Sequence, residues 1–402
     1  MRLPAVLVPL RHRDFRLLWA GQTVSIFGNF IYGVALPFQI LALGGSALQL
    51  GIGASIASGA MILSLLVAGA LVDRLPRRRV ILVSDLVSGI VTTVIAVLGI
   101  TGTLRIEHLY VASAFFGVAF SFVGPAISAI IPELIPADVL VPGNAVQGLS
   151  RQIAQVGGPV VGGAVVALSG APMAFALDAF TFFFSFAAVL LVARRPLEER
   201  VAVPLLRQIR DGLVFTFGVP WLWITIFLWA FINMANSGPF VVALPLLVRD
   251  VLFGDARTYG AIIAAMGAGE VIGTFTISQM RVRRVGVAIY AWAIVAAVAS
   301  VLLGLLPLFP VILVMFAIRG LSIVGFGVLW QSALQRHVPR EMLGRVVSID
   351  WFGAVLMGPV APVVFVGVVD AVGPAASFVV GGVASIVLLL PPLAVRSIRE
   401  LE

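Results

Sequence analysis

Three ionisable residues sit deep inside otherwise apolar runs of this sequence: Glu270, Arg319 and Asp350. A charge at the centre of a membrane-crossing helix costs roughly 2.5–3.5 kcal/mol or more, so such residues are kept for function or for pairing. Counting about 1.5 Å per residue from the ends of their runs puts all three near a bilayer centre. The chemistry available is proton coupling. One arginine can neutralise one of two acids and leave the other to titrate. Arg319 and Asp350 lie on consecutive runs, so Asp350 is the expected permanent partner of Arg319 and Glu270 the expected proton carrier. Asp178, nearer the end of its run, is expected to serve the scaffold. His12, His108 and His337 all fall at or outside run ends and are assigned no proton relay.

A second group of residues concerns ligand contact. Asn29 on the first run, Asn233 and Asn236 on the seventh, and the aromatics Phe116, Phe120, Trp229, Phe326 and Trp330 are candidate substrate-binding positions. Buried amides contact a ligand or satisfy neighbouring backbone, and aromatic rings line an apolar pocket or pack the core. A third group clusters at run ends. Asp73 and Arg74 with Arg77, Arg78 and Arg79 form a turn in which the arginines anchor to anionic headgroups at about 1 kcal/mol each. Anchoring does not explain Asp73, whose carboxylate can serve as a gate latch. Asp85, one to two turns further on, is expected to make a local salt bridge to Arg78 or Arg151, and Arg345 completes the candidate cytoplasmic gate. Gly157, Gly158, Gly162 and Gly163 strip side chains from one face of the fifth run, and Pro159 removes a backbone donor, which together permit a bend and close helix approach.

The elements that must position these groups follow from composition. The chain has 402 residues, 61% of them hydrophobic and 11% charged, with mean hydropathy +1.13. That leaves too little polar surface for soluble domains and defines a membrane protein. Apolar stretches at about 17–43, 46–72, 79–100, 108–131, 142–168, 171–193, 220–248, 258–280, 286–306, 310–335, 342–369 and 373–395 predict twelve transmembrane helices. No lysine and no cysteine occur. A phosphate-binding P-loop, a Schiff-base cofactor, a disulfide and a thiolate metal site are therefore excluded, and no cofactor or metal is expected. Arginines concentrate in alternate loops, with Arg105, Arg249 and Arg257 alone on the opposite side, which predicts both termini in the cytoplasm. The basic pI of about 11.2 follows from that topology and implies no nucleic acid.

The longest connection, 194–219, divides the chain into an N-terminal bundle (1–193) and a C-terminal bundle (220–402), and its mixed charged and apolar residues predict an interfacial linker helix. A shift of 203 residues aligns Pro136-x-Asp138-x-Leu140 with Pro339-x-Glu341-x-Leu343, and Pro159-Val160-Val161 with Pro362-Val363-Val364. The fold class is thus an all-α membrane protein of twelve helices in two pseudo-symmetric six-helix bundles.

The turn Gly69-Ala-Leu-Val-Asp73-Arg74-Leu-Pro76-Arg77-Arg78-Arg79 resembles the loop signature of the major facilitator superfamily, with Pro76 where that family has Gly. Gly157-Gly158-Pro159-Val-Val-Gly162-Gly163 resembles the antiporter motif of its exporters. Val338-Pro339-Arg340-Glu341-x-x-Gly344-Arg345-Val346 looks like the enterobactin-exporter and macrolide-efflux branch. The resemblance implies the major facilitator fold, with the helices of Glu270, Arg319 and Asp350 facing a cavity in the second half. It also implies a non-enzymatic secondary transporter of the cell (inner) membrane, exporting an amphipathic small molecule in exchange for protons as a monomer. Many drug and proton antiporters of this superfamily carry an arginine in the fourth span, whereas residues 109–131 contain none. The competing expectations are a metabolite importer of the same fold and a non-transporting receptor or scaffold.

Overall fold

The computed structural model of the chain describes residues 5–72, 75–193, 205–280 and 282–401. Eleven stretches among them are long and apolar enough to cross a membrane, and the last, Arg340–Ala394, runs for 55 residues. That length exceeds one crossing of about 20 residues. It contains a turn at 357–359 and a break at Gly373, so it accounts for both the eleventh and twelfth expected spans.

The described helices group into two compact units. The first comprises Met1–Glu198 together with Gly254–Ala264. It is built from α1 (Arg13–Ala42), α2 (Ala47–Val72), α3 (Arg77–Ile100), α4 (Ile106–Leu134), α5 (Leu140–Ser169) and α6 (Ala171–Leu190). Within it α6 packs on α1 and α3, α4 on α2 and α3, and α5 on α1. The second unit comprises Glu199–Phe253 and Ala265–Glu402. Its first helix, α7 (Leu205–Gly218), is the amphipathic linker helix. The next, α8 (Pro220–Gly238), continues through wide π-type turns at Pro239–Ala243 and Leu247–Val251 around α9 (Leu244–Leu246). Then follow α10 (Ala256–Gln279), which starts in the first unit, α11 (Val285–Leu305), α12 (Phe309–His337), α13 (Arg340–Leu356), α14 (Val360–Leu389) and the terminal turn α15 (Arg396–Arg399).

The second unit repeats the pattern of the first, with α14 on α8 and α11, α13 on α8, and α12 on α11. The repeat extends to a single backbone conformation. Gly170 (φ 82°, ψ 163°) separates α5 from α6, and Gly373 (φ 83°, ψ 168°), 203 residues later, interrupts α14 with nearly the same angles. Positive φ with extended ψ is available essentially to glycine alone, and proline follows within two residues in both copies (Pro172, Pro374) to start the next helix. The copies differ at one place. The helix α5 is continuous over 30 residues, whereas its counterpart is divided into α13 and the first part of α14.

Helix starts account for the ends. No side-chain N-cap forms on α6 or α8, but each has Pro in its first turn, where the missing N–H has no intrahelical partner to lose. Within the first unit the fully buried Phe15, Leu18 and Ile81 join Ile130 and Val189 in one cluster. In the second, Trp221, Leu222, Ile289, Trp330, Leu334 and Val346 do the same.

Candidate transport site

The second unit places Arg319 in α12 with only 4% of its surface exposed. One terminal nitrogen donates to the Ser300 hydroxyl of α11, and the guanidinium lies 5.5 Å from the centre of the Phe316 ring. Its Nε has no hydrogen-bond partner. Asp350 does not pair with it. The Asp350 carboxylate instead accepts a hydrogen bond of 3.1 Å from the indole N–H of Trp330. Trp330 lies eleven residues beyond Arg319 in α12, roughly 16 Å along the axis at 1.5 Å per residue. The expected Arg319–Asp350 pair does not form because depth counted from opposite ends of two helices accumulates error, and the Asp350 carboxylate meets Trp330, eleven residues beyond Arg319.

Glu270 is at the level of Arg319. Helices α10 and α12 approach through glycines, since a side chain at Gly269 would strike the Ala317 carbonyl, and one at Gly320 would strike the Met266 carbonyl and reach the Glu270 nitrogen at 3.1 Å. Glu270 and Arg319 are each the chain neighbour of a contact glycine. Glu270 is half-buried, and its own carbonyl accepts the Thr274 hydroxyl at 3.0 Å.

The aromatic candidates of this unit form one ladder. Trp229 stacks on Phe326 with ring centres 3.5 Å apart and planes 3° from parallel, Phe326 leads to Trp330 at 6.3 Å, and Trp330 meets Trp221 edge-on at 5.7 Å. These rings are packed into the core, with Trp330 the last before Asp350. The amides bind helices together. Asn233 donates to the Ala354 carbonyl at 3.0 Å, and Asn236 to the Ile232 carbonyl and the Ser385 hydroxyl. In the first unit, Phe116 packs on Tyr32 at 4.6 Å and Phe182 at 5.9 Å, while Phe120 is 63% exposed and Asn29 lies on the exposed side of α1.

Of the gate residues, Asp73 and Arg74 lie outside the described residues, as do 194–204 of the linker and Arg281. Arg77 is buried and forms an ion pair with Glu133 at 3.5 Å. Arg78 donates to the carbonyls of Val189 and Leu190 at 3.1 and 2.7 Å, a cation set on the negative end of α6. Asp85 forms no salt bridge with Arg78 or with the exposed Arg151, contrary to the sequence expectation. Its carboxylate, 3% exposed, accepts the Ser185 hydroxyl at 2.7 Å, and the Ser185 oxygen accepts the Gln22 amide at 2.9 Å. The rise of α3 carries Asp85 about two turns, roughly 10 Å, along the helix from Arg78, where it meets Ser185 of α6. Arg345 forms a 3.2 Å ion pair with Asp211 of α7, beside a close contact of Gly212 with Arg345 and Ile349. The linker helix therefore packs on α13 as part of the second unit.

The glycine segment of α5 faces two neighbours. A Cβ at Gly158 would lie 2.5 Å from Cβ of Phe30, and one at Gly162 3.0 Å from Cα of Ile31, both in α1. On the other side, a Cβ at Gly163 would lie 2.5 Å from the Ala256 carbonyl, and one at Gly260 would strike the carbonyl of Pro159. The first turns of α10 belong to the first unit through this contact. Sequence reasoning misses Gly260, Ser185, Ser300 and Tyr32. Gly21 and Gly28, seven residues apart on α1 opposite the polar residues of α6, carry a legible signal for the Ser185 network.

Two repeated six-helix units with charged residues inside apolar helices define a multi-pass membrane transporter of the major facilitator class. Solved structures share this fold. A nucleoside transporter, NupG, superposes with TM-score 0.77 at 12% identity, covering 95% of this chain and 98% of that one. A bacterial homologue of the iron transporter ferroportin superposes with TM-score 0.72 at 16% identity, covering 94% and 99%. Residues 5–398 match the transmembrane secretion effector family, and the chain belongs to that family of the major facilitator superfamily. It is similar to the enterobactin exporter EntS of Shigella dysenteriae serotype 1 (strain Sd197), 26% identical over 356 residues that make up 86% of this chain and 85% of that one. The same identity and coverage hold for EntS of Escherichia coli O1:K1 / APEC. The protein is a secondary transporter and not an enzyme.

Proposed function

We propose that this protein exports an amphipathic small molecule across the cell membrane by alternating access, in exchange for protons, with both termini in the cytoplasm and a monomer as the working unit. Export is supported by the relatives over most of the chain, whose named cargo is enterobactin, and the substrate class is a siderophore or a compound of similar mixed polarity. The observation that carries the coupling is the placement of Glu270 at the depth of the buried Arg319, beside the glycine contacts of α10 and α12. A carboxylate at the depth of a buried arginine has two states of similar energy, ionised and facing the cation, or protonated and released from it. Asp350, fastened to Trp330, supports the inner part of the same unit. In this scheme Asp73, Arg74, Arg77, Arg78, Asp85 and Arg151 are the gate residues of the first unit, and Arg345 is that of the second. The segment Gly158-Pro159 to Gly162-Gly163 supplies the tight contact on the far side.

The test uses the purified protein in proteoliposomes with an imposed pH gradient and a panel that includes catecholate siderophores. The wild type should accumulate substrate against its gradient. Glu270→Gln should retain substrate binding and exchange but lose the dependence on the pH gradient. Wild-type gradient-driven transport by Glu270→Gln would remove Glu270 from the coupling, and uptake only down the opposite gradient would reverse the direction.

A further inference from the structure

The first unit holds an acid, Asp178, for which neither packing nor pairing accounts. Asp178, in α6, is fully buried. Its Oδ1 accepts the Thr181 hydroxyl at 3.4 Å, a hydroxyl that also donates to Asp178's own carbonyl at 2.7 Å. Its Oδ2 has no hydrogen-bond partner, and neither does the buried hydroxyl of Tyr32. Tyr32 comes from α1, one turn beyond Gly28 on the same buried face, its ring packed at 5.4 Å on Phe175 one turn earlier in α6 than Asp178. Gly28 of α1 makes room for the carboxyl, because a Cβ there would collide with both Asp178 and Thr181. Two buried polar groups without a hydrogen-bond partner thus lie along the same seam between α1 and α6.

The internal repeat separates this acid from the fold. Under the 203-residue shift, Gly170 matches Gly373 in conformation and Phe175 matches Phe378, both rings being fully buried. The counterpart of Asp178 is then Gly381, which packs against the Ala235 carbonyl of α8. The second unit builds the same helix contact without a side chain, so the fold has no need of the carboxyl.

Among the described residues no cation compensates it. The helices packed on α6 are α1, α3 and α5, and α4 touches it through Phe116 on Phe182, with its titratable residues Glu107, His108, Tyr110 and Glu133 near its two ends. From α1 the facing titratable group is Tyr32. From α3 it is Asp85, two turns along the same seam and bound to Ser185. The charged residue of α5 is Arg151, which is exposed. Burial of a lone carboxylate without a cation is strongly unfavourable, and the neutral acid is the form such a site accommodates.

We propose that Asp178, with Tyr32 and Thr181, is a proton-binding site inside the first unit, distinct from the charged residues of the second. One proton is held as O–H at Oδ2; when that bond breaks the proton passes to bulk water and leaves a carboxylate towards which the Tyr32 hydroxyl can turn, with no other covalent bond changed. The site rests on the proton-exchange function only for its use in transport, since its occupancy is a property of the protein alone.

The test is infrared difference spectroscopy of the full chain in lipid, titrated from mildly acidic to alkaline pH. The wild type should show the C=O stretch of a buried protonated carboxyl at neutral pH that fades on alkalinisation. Asp178→Asn should lack this band, and Tyr32→Phe should shift it and its midpoint. A spectrum identical in wild type and Asp178→Asn would overturn the proposal. So would a band that persists at every pH at which the protein stays folded, which would make Asp178 a static acid. Should Asp178→Asn fail to fold, Tyr32→Phe decides alone, and an unshifted band and midpoint would overturn the proposal. A wild-type protein that shows the titrating band but no gradient-driven export would instead count against the proposed proton exchange and leave the Asp178 site standing.

Discussion

The indole of Trp330 performs two tasks that a substitution can separate. Its ring continues the stack from Trp229 and Phe326 and meets Trp221 on edge, while its N–H holds the Asp350 carboxylate at 3.1 Å. Trp330→Phe keeps a ring in the ladder and deletes the donor. A hydrogen bond to a charged acceptor contributes roughly 1.5–3 kcal/mol, and the half-burial of Asp350 places the expected loss at the lower end. The expected outcome is a lowered melting temperature in detergent that Asp350→Ala does not lower further when the two are combined, because both remove the same interaction. Additive losses would show that the bond contributes little. Arg319 answers to a different neighbour. Arg319→Gln should leave the Trp330–Asp350 bond intact, since about eleven residues of α12 separate the two sites.

Among elements, the contact of α5 with α1 depends on where hydrogen stands in place of a side chain. Gly158 admits no Cβ without displacing Phe30, whereas a Cβ at Gly148, ten residues earlier on the same helix, would meet nothing within 4 Å. Gly158→Ala should therefore destabilise the protein by about 1–3 kcal/mol as an overpacked contact and impair transport. Gly148→Ala should be neutral or slightly stabilising, since alanine favours the helix by up to about 1 kcal/mol. Thermal unfolding of the two variants side by side checks this, and equal effects would mean that helix propensity and not the contact governs α5. The linker helix α7 is joined to α13 by Arg345 and Asp211, whose partial exposure makes the pair worth little by itself, so its docking rests mainly on the close approach at Gly212.

For the molecule as a whole, the proposed orientation makes a topological prediction. Reporters fused after residues 205 and 284 should be cytoplasmic, and one inserted near residue 255 should be external. An external signal at 205 would reverse the assignment of every loop. The duplication also predicts that a structure of either unit, superposed on the other after the 203-residue shift, will overlay Gly170 on Gly373 and Phe175 on Phe378.

Periodic properties of this protein are legible from sequence alone. Twelve apolar runs, the helical class, the repeat and the glycine face of α5 are set by local composition, because a chain in lipid must satisfy its backbone within each helix. The buried charges are also legible, since a charged residue in an apolar run is conspicuous. Their partners are not. Which atoms meet depends on helix rotation and on axial offset between helices distant in sequence, and an error of a few residues moves a side chain by a whole turn. Counting along the chain pairs Asp350 with Arg319, whereas tertiary packing gives it to Trp330. Proximity in sequence pairs Asp85 with a nearby arginine, yet it bonds Ser185, one hundred residues away. Chain order puts the start of α10 in the second bundle, while the contact of Gly260 with Pro159 groups it with the first. Only the tertiary structure could decide these, because hydrophobicity ranks residues by their solvent and carries no information about which neighbour excludes it.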